Sequence, residues 1–150
     1  MKILNDGKVK YLVVGGYAVS KHAEPRFTKD LDIWISNSPE NAERVFQSLT
    51  EFGSPMTGIT PQDFTDSALV YQIGVEPARI DILMGLDGLD FDECWNDRVI
   101  AAFGDTETNF ISIDDLIENK RTVARPQDLL DAESLEIKKR EQENIDTDIG

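Results

Sequence analysis

Apolar positions along the chain fall into two rhythms, and the switches between them mark the elements. Tyr11-Leu-Val-Val14 is a continuous apolar run stopped by Gly15 and Gly16, which predicts a buried strand and a break. A short helix is predicted over 17–23, then a basic loop carrying Arg26 and Lys29. Residues 30–35, Asp-Leu-Asp-Ile-Trp-Ile, follow as a second strand. Strand side chains alternate, so Leu31, Ile33 and Ile35 face a core while Asp30 and Asp32 share the other side.

Ser38 or Asn37 is placed to cap a helix opened by Pro39. Ala42, Val45, Phe46 and Leu49 form its stripe, and Gly53 ends it. Residues 54–67 read as a loop. Residues 68–74 and 78–84 read as two strands joined by a turn at 75–77, and Gly85 and Gly88 break the chain after them. Phe91 and Trp95 suggest a short helix over 90–96, followed by strands over 98–103 and 108–111. Ser112 with Asp115 opens a helix whose inner face is Ile113, Leu116 and Ile117; Lys120 falls on the same stripe. Pro126 opens the last helix, where Asp128, Asp131, Ala132 and Leu135 share a face. Residues 1–9 carry only a weak signal for a helix or loop. The order predicts an α+β domain with a mixed sheet flanked by helices, two of them C-terminal.

At 150 residues the expectation is one domain over 1–140 and a frayed acidic tail over 141–150. A hydrophobic content of 40% with 29% charged residues indicates a soluble globular class. No apolar run approaches a membrane span and no signal-peptide pattern opens the chain, so a cytoplasmic protein without a membrane partner is expected. The net charge of −14 disfavours general nucleic-acid binding, because phosphate contacts need Lys and Arg. Cys94, the single cysteine, excludes an internal disulfide and is expected to be a buried small hydrophobe. The lone His22 is expected to be a surface helix residue rather than a ligand.

Candidate chemistry gathers around residues 11–35. Gly15 and Gly16 let backbone N–H groups approach a bound group, and the helix that follows turns its positive N-terminus to the same place. Asp30 and Asp32 beside that cradle suit a divalent cation and a polyphosphate. The plain alternatives are a tight strand-to-helix turn for the glycines and solvent-facing aspartates on a sheet. Arg26 and Lys29 would hold phosphate or an acceptor, or are solvated loop charges. Lys120 on an apolar stripe needs an anion, which either phosphate or Asp128 would supply.

The order of apolar run, Gly-Gly, short helix and Asp-x-Asp strand resembles the nucleotidyltransferases of the polymerase-β-like superfamily. That resemblance implies a third carboxylate on a neighbouring strand, which Asp81 in Arg79-Ile-Asp-Ile-Leu83 supplies. It implies that Asp30, Asp32 and Asp81 hold two Mg²⁺ or Mn²⁺ ions with an NTP such as ATP, and that the reaction transfers a nucleoside monophosphate to a hydroxyl. Relatives often carry Ser where Gly16 stands, so here the phosphate contact would rest on backbone alone. Residues 110–135 resemble the end of small bacterial nucleotidyltransferase domains, including some of toxin–antitoxin pairs. There a helix Lys and a following Arg-x-x-Asp match Lys120, Arg125 and Asp128, which are carried over as catalytic (Lys120) and nucleotide-binding (Arg125, Asp128). The matches span about residues 10–136.

Two rivals stand beside the enzyme. One is a nucleotide-binding regulatory module without catalysis, such as a toxin–antitoxin component; the complete carboxylate triad favours catalysis over it. The other is a metal-dependent phosphohydrolase, for which the lone His22 offers little. The acceptor is open between a tRNA end, a protein hydroxyl and a small molecule. With no separate substrate domain, a partner protein is one route to its recognition.

Overall fold

The computed structural model describes the chain except Glu24, Arg26, Phe27, Lys29, residues 75–78 and Gly150, and for residues 146–149 it describes the backbone alone. Strands β1 (Tyr11–Val14), β2 (Leu31–Ile35), β3 (Val70–Ile73), β4 (Ile80–Leu83), β5 (Val99–Phe103) and β6 (Thr106–Phe110) form one sheet in the order β3-β4-β2-β1-β6-β5. β1 with β2, β3 with β4 and β5 with β6 are antiparallel; β2 with β4 and β1 with β6 are parallel. This is the expected mixed sheet.

Helices cover both faces, because the central strands are apolar on both sides. Helices α1 (Lys2–Asp6) and α3 (Pro39–Phe52) pack on the face of Tyr11, Val13, Ile33, Ile35 and Ile82, with the 3₁₀ helix Pro61–Thr65 contributing Phe64. Helices α2 (Gly15–His22), α4 (Phe91–Asn96), α5 (Ile113–Val123) and α6 (Pro126–Ile149) cover the face of Leu12, Val14 and Trp34. Trp34 meets Phe91 edge-on at 5.0 Å between ring centroids, which seats α4. Asn41 of α3 is buried and hydrogen-bonds the Lys10 and Ser36 backbone, tying that helix to the ends of β1 and β2. Among the described residues no helix is long and apolar enough to cross a membrane.

The caps follow the sequence closely. Ser38 accepts from the Asn41 N–H, Ser112 accepts from the Asp115 N–H, and Gly53 ends α3 in the left-handed conformation. Cys94 is buried in the α2–α4–α5–α6 layer, as expected.

Three local expectations change. The glycines do not precede α2 but form its first turn, since Gly15 adopts φ +66° and the chain coils directly from β1. The 54–67 loop contains the 3₁₀ helix, closed by a Thr60–Asp63 capping box. Residues 141–149, expected as a frayed tail, continue α6; the i,i+3 Lys138–Glu141 pair lies at the start of this polar extension, and helical propagation needs only one further backbone bond per residue. The turn at 75–77 lies outside the described residues.

Candidate active site

The site grows from strand register. Asp32 of β2 stands opposite Asp81 of β4 in the parallel pairing, and opposite Val14 of β1 on its other side. Paired residues share a sheet face, so both carboxylates point to the face that α5 and α6 cover. Asp30 lies two residues before Asp32, just ahead of the strand, and reaches the same region. Burial pushes the Asp32 carboxyl up to about 6, with the neighbouring Asp81 and then Asp30 adding to it.

Directly after Val14, Gly15 passes so close to Asp32 that a Cβ would collide with the carboxylate. Its positive φ independently favours glycine. No side chain caps the first turn of α2, so its N–H groups are open to an anion.

The opposite wall comes from the α5–α6 corner. Lys120 is 7% exposed and sits 3.3 Å from Asp128 Oδ1 and 3.4 Å from Asp131 Oδ2. Asp128 also accepts from the Arg125 backbone N–H at 3.2 Å and from Arg125 Nε at 2.6 Å, so it caps α6 while pairing two cations. The hydrogen bond from Arg125, followed by those of Lys120, holds the Asp128 carboxyl below the usual range against its burial. Arg125 keeps its guanidinium largely in solvent. Both readings of Lys120 thus meet in one residue: it is paired internally, and it still lines the cleft.

A cleft of about 950 Å³ joins these walls, lined among others by Gly15, Gly16, Asp30, Asp32, Lys120 and Arg125. Asp81, the register partner of Asp32, is 8% exposed. Arg26 and Lys29, expected to hold phosphate or acceptor, lie outside the described residues. His22 Nε2–H donates to Ile111 O, 2.7 Å away, and takes no place in the cleft; burial lowers its pKa.

A divalent cation suits this donor set in kind: three carboxylates supply only oxygens, as Mg²⁺ prefers. Asp30 Oδ1 is buried and lacks a hydrogen-bond partner among the described residues. Yet among those residues no three carboxylates converge on one point as finished ligands. Arg79 contacts two of the three: its Nη2 lies 2.9 Å from Asp30 Oδ2 and its Nε lies 3.0 Å from Asp81 Oδ1. The second contact is an ion pair without hydrogen-bond alignment; Nη2 donates to Asp81 Oδ2 at 3.3 Å instead.

Sequence reasoning quoted Arg79 beside Asp81 but gave it no role. The signal was present, since residues two apart on a strand share a face. Asn119, which lines the cleft and donates to Asp87 O at 3.2 Å, was also missed, because a polar residue on a helix gives no sign of the loop it will meet.

No family model matches this chain, and no curated protein matches it. Solved structures do. The chain is similar to the lincosamide antibiotic adenylyltransferase LnuA, solved with lincomycin bound, at 15% identity over 90% of both chains with a TM-score of 0.55. It is similar to a Thermotoga maritima protein described as a nucleotidyltransferase, at 14% identity over 93% of this chain and 88% of that one, with a TM-score of 0.54. With its mixed six-stranded sheet and two closing helices, the chain has the nucleotidyltransferase fold.

Proposed function

We propose that the protein transfers a nucleoside monophosphate from an NTP to a hydroxyl acceptor. The observation that carries this reading is the meeting, in one cleft, of an uncapped helix N-terminus, Asp30 and Asp32, and the buried Lys120, with Asp81 paired beside Asp32 on β4. The fold shared with nucleotidyltransferases supports it.

The N–H groups of the Gly15-Gly16 turn would bind the terminal phosphates, with the α2 dipole favouring their charge. Gly15 must lack a side chain for phosphate and Asp32 to lie on either side of the same backbone. Lys120, fixed by Asp128 and Asp131, would add a positive charge at the cleft wall, and the more exposed Arg125 guanidinium would reach the nucleotide from the rim. Asp30, Asp32 and Asp81 would hold Mg²⁺ or Mn²⁺, which supplies charge neutralisation on the triphosphate and acidifies the attacking hydroxyl. In the reaction the acceptor oxygen would bond to the α-phosphorus, pyrophosphate would leave with the broken P–O electron pair, and the hydroxyl proton would pass to solvent.

The test is incubation of the protein with each labelled NTP, Mg²⁺ and a cell extract, with pyrophosphate release followed in parallel. Label entering a tRNA, protein or small-molecule fraction supports transfer and identifies the acceptor class. Nucleotide binding without pyrophosphate release would replace the enzyme with the regulatory module, and hydrolysis with no labelled product would favour a phosphohydrolase.

A further inference from the structure

We propose that Arg79 is an internal counter-cation that competes with the divalent ion for Asp30 and Asp81, and so sets the cation affinity of the site; this rests on the metal-dependent reading above. The guanidinium touches Asp30 Oδ2 and both oxygens of Asp81, at 2.9, 3.0 and 3.3 Å. The lone pairs it engages are those an oxygen-seeking cation needs, and one oxygen cannot give full coordination to both.

The backbone and the side chain of Arg79 differ in freedom. Its carbonyl accepts from Leu31 N–H at 3.1 Å, so the main chain is fastened to β2. Its side chain is 30% exposed, against 12% for Asp81, which leaves the guanidinium a route toward solvent while the aspartate stays in place. The charge count also requires more than Arg79: three carboxylates, Asp30, Asp32 and Asp81, lie near one another here, and the described contacts of Arg79 among them are with Asp30 and Asp81. Asp32 is left to bind an incoming cation first, with Asp81 and Asp30 joining as the guanidinium moves aside. Replacing a guanidinium held about 3 Å from two ligands removes a repulsive charge, so cation binding tightens.

The experiment is a Mn²⁺ titration without nucleotide, read by the electron paramagnetic resonance of the free ion, on wild type, Arg79→Met, Arg79→Lys and Asp32→Asn. Circular dichroism melts are run on the same samples. Arg79→Met is expected to bind Mn²⁺ at least about tenfold more tightly, which corresponds to about 1.4 kcal/mol. Its melting temperature without divalent ion should fall and recover as Mn²⁺ is added. Arg79→Lys, which keeps the charge but loses the fork, should lie between it and wild type. Should Arg79→Met not fold, Arg79→Gln, which retains donors without the charge, must show the same tightening. A folded charge-removing variant that binds Mn²⁺ as wild type does, or more weakly, overturns the proposal alone. Wild-type binding retained in Asp32→Asn, or no uptake by any form, overturns the metal-site reading with it.

Discussion

Asp32 and Asp81 stand side by side in the parallel pairing of β2 and β4, two carboxylates at one register position of a sheet interior. Like charges directly opposite on a sheet destabilise it, so the pairing costs the ligand-free fold stability. Replacing Asp32 with Asn should leave the ligand-free protein at least as stable as wild type, while the rise in melting temperature produced by Mg²⁺ with NTP disappears. Turnover should fall by about 100-fold or more, the scale of several kcal/mol of lost charge stabilisation. Thermal melts with and without Mg·NTP, together with a pyrophosphate assay, check both halves.

Lys120 lies within reach of both Asp128 and Asp131 on the buried face where the two meet, and Arg125 also pairs with Asp128. Removing Lys120 takes one cation from two buried carboxylates, a destabilisation bounded by the about 3–5 kcal/mol of a fully broken buried pair and offset in part by the bond Arg125 keeps to Asp128. Lys120→Met should therefore unfold at markedly lower denaturant, although Met fills the stem volume. Nucleotide affinity per folded molecule should fall as well. A denaturant melt and a dissociation constant from the same sample separate the two effects; a destabilised variant with normal binding would leave Lys120 a purely structural residue.

Asp128 gives the acid limb of stability. Its carboxyl is held below the ordinary carboxylate range by Arg125 and then Lys120. A depressed carboxylate stabilises the fold above its unfolded pKa, and that stability is lost as pH falls through the folded value. Wild type and Asp128→Asn should differ most near neutrality and converge only as pH falls below the ordinary carboxylate range, since the difference is the ionised group's contribution. Melting curves at successive pH values on both proteins measure this convergence.

Gly15 and Gly53 both adopt positive φ, but their surroundings differ. A Cβ at Gly53 meets nothing within 4 Å, whereas at Gly15 it meets Asp32. Gly53→Ala should cost only the left-handed strain of about 1–2 kcal/mol and leave nucleotide binding intact. Gly15→Ala should cost more and abolish the Mg·NTP thermal shift. Paired melts of the two variants provide the comparison.

Burial, with Asp115 second, pushes the Cys94 thiol up to about 12. The thiolate is the reactive form, so Cys94 should resist alkylation at pH 8 in the folded protein and react on denaturation. A mass-spectrometric time course with iodoacetamide reads this directly.

Sequence periodicity and caps by themselves determined the elements: the apolar run at Tyr11–Val14, the stripe of α3 between Ser38 and Gly53, and the start of α5 at Ser112 are local facts, written by side-chain spacing and by backbone groups that need a partner nearby. The shared facing of Asp30 and Asp32 was legible for the same reason. What only the tertiary structure decided was pairing between distant segments. The β2–β4 register that sets Asp81 against Asp32, the reach of Lys120 to both Asp128 and Asp131, and the insertion of Arg79 between Asp30 and Asp81 each join residues whose distance is fixed by sheet order and helix packing. A strand's alternation says which side a charge faces. Which opposite charge it meets there depends on the neighbour that long-range burial of apolar surface brings alongside.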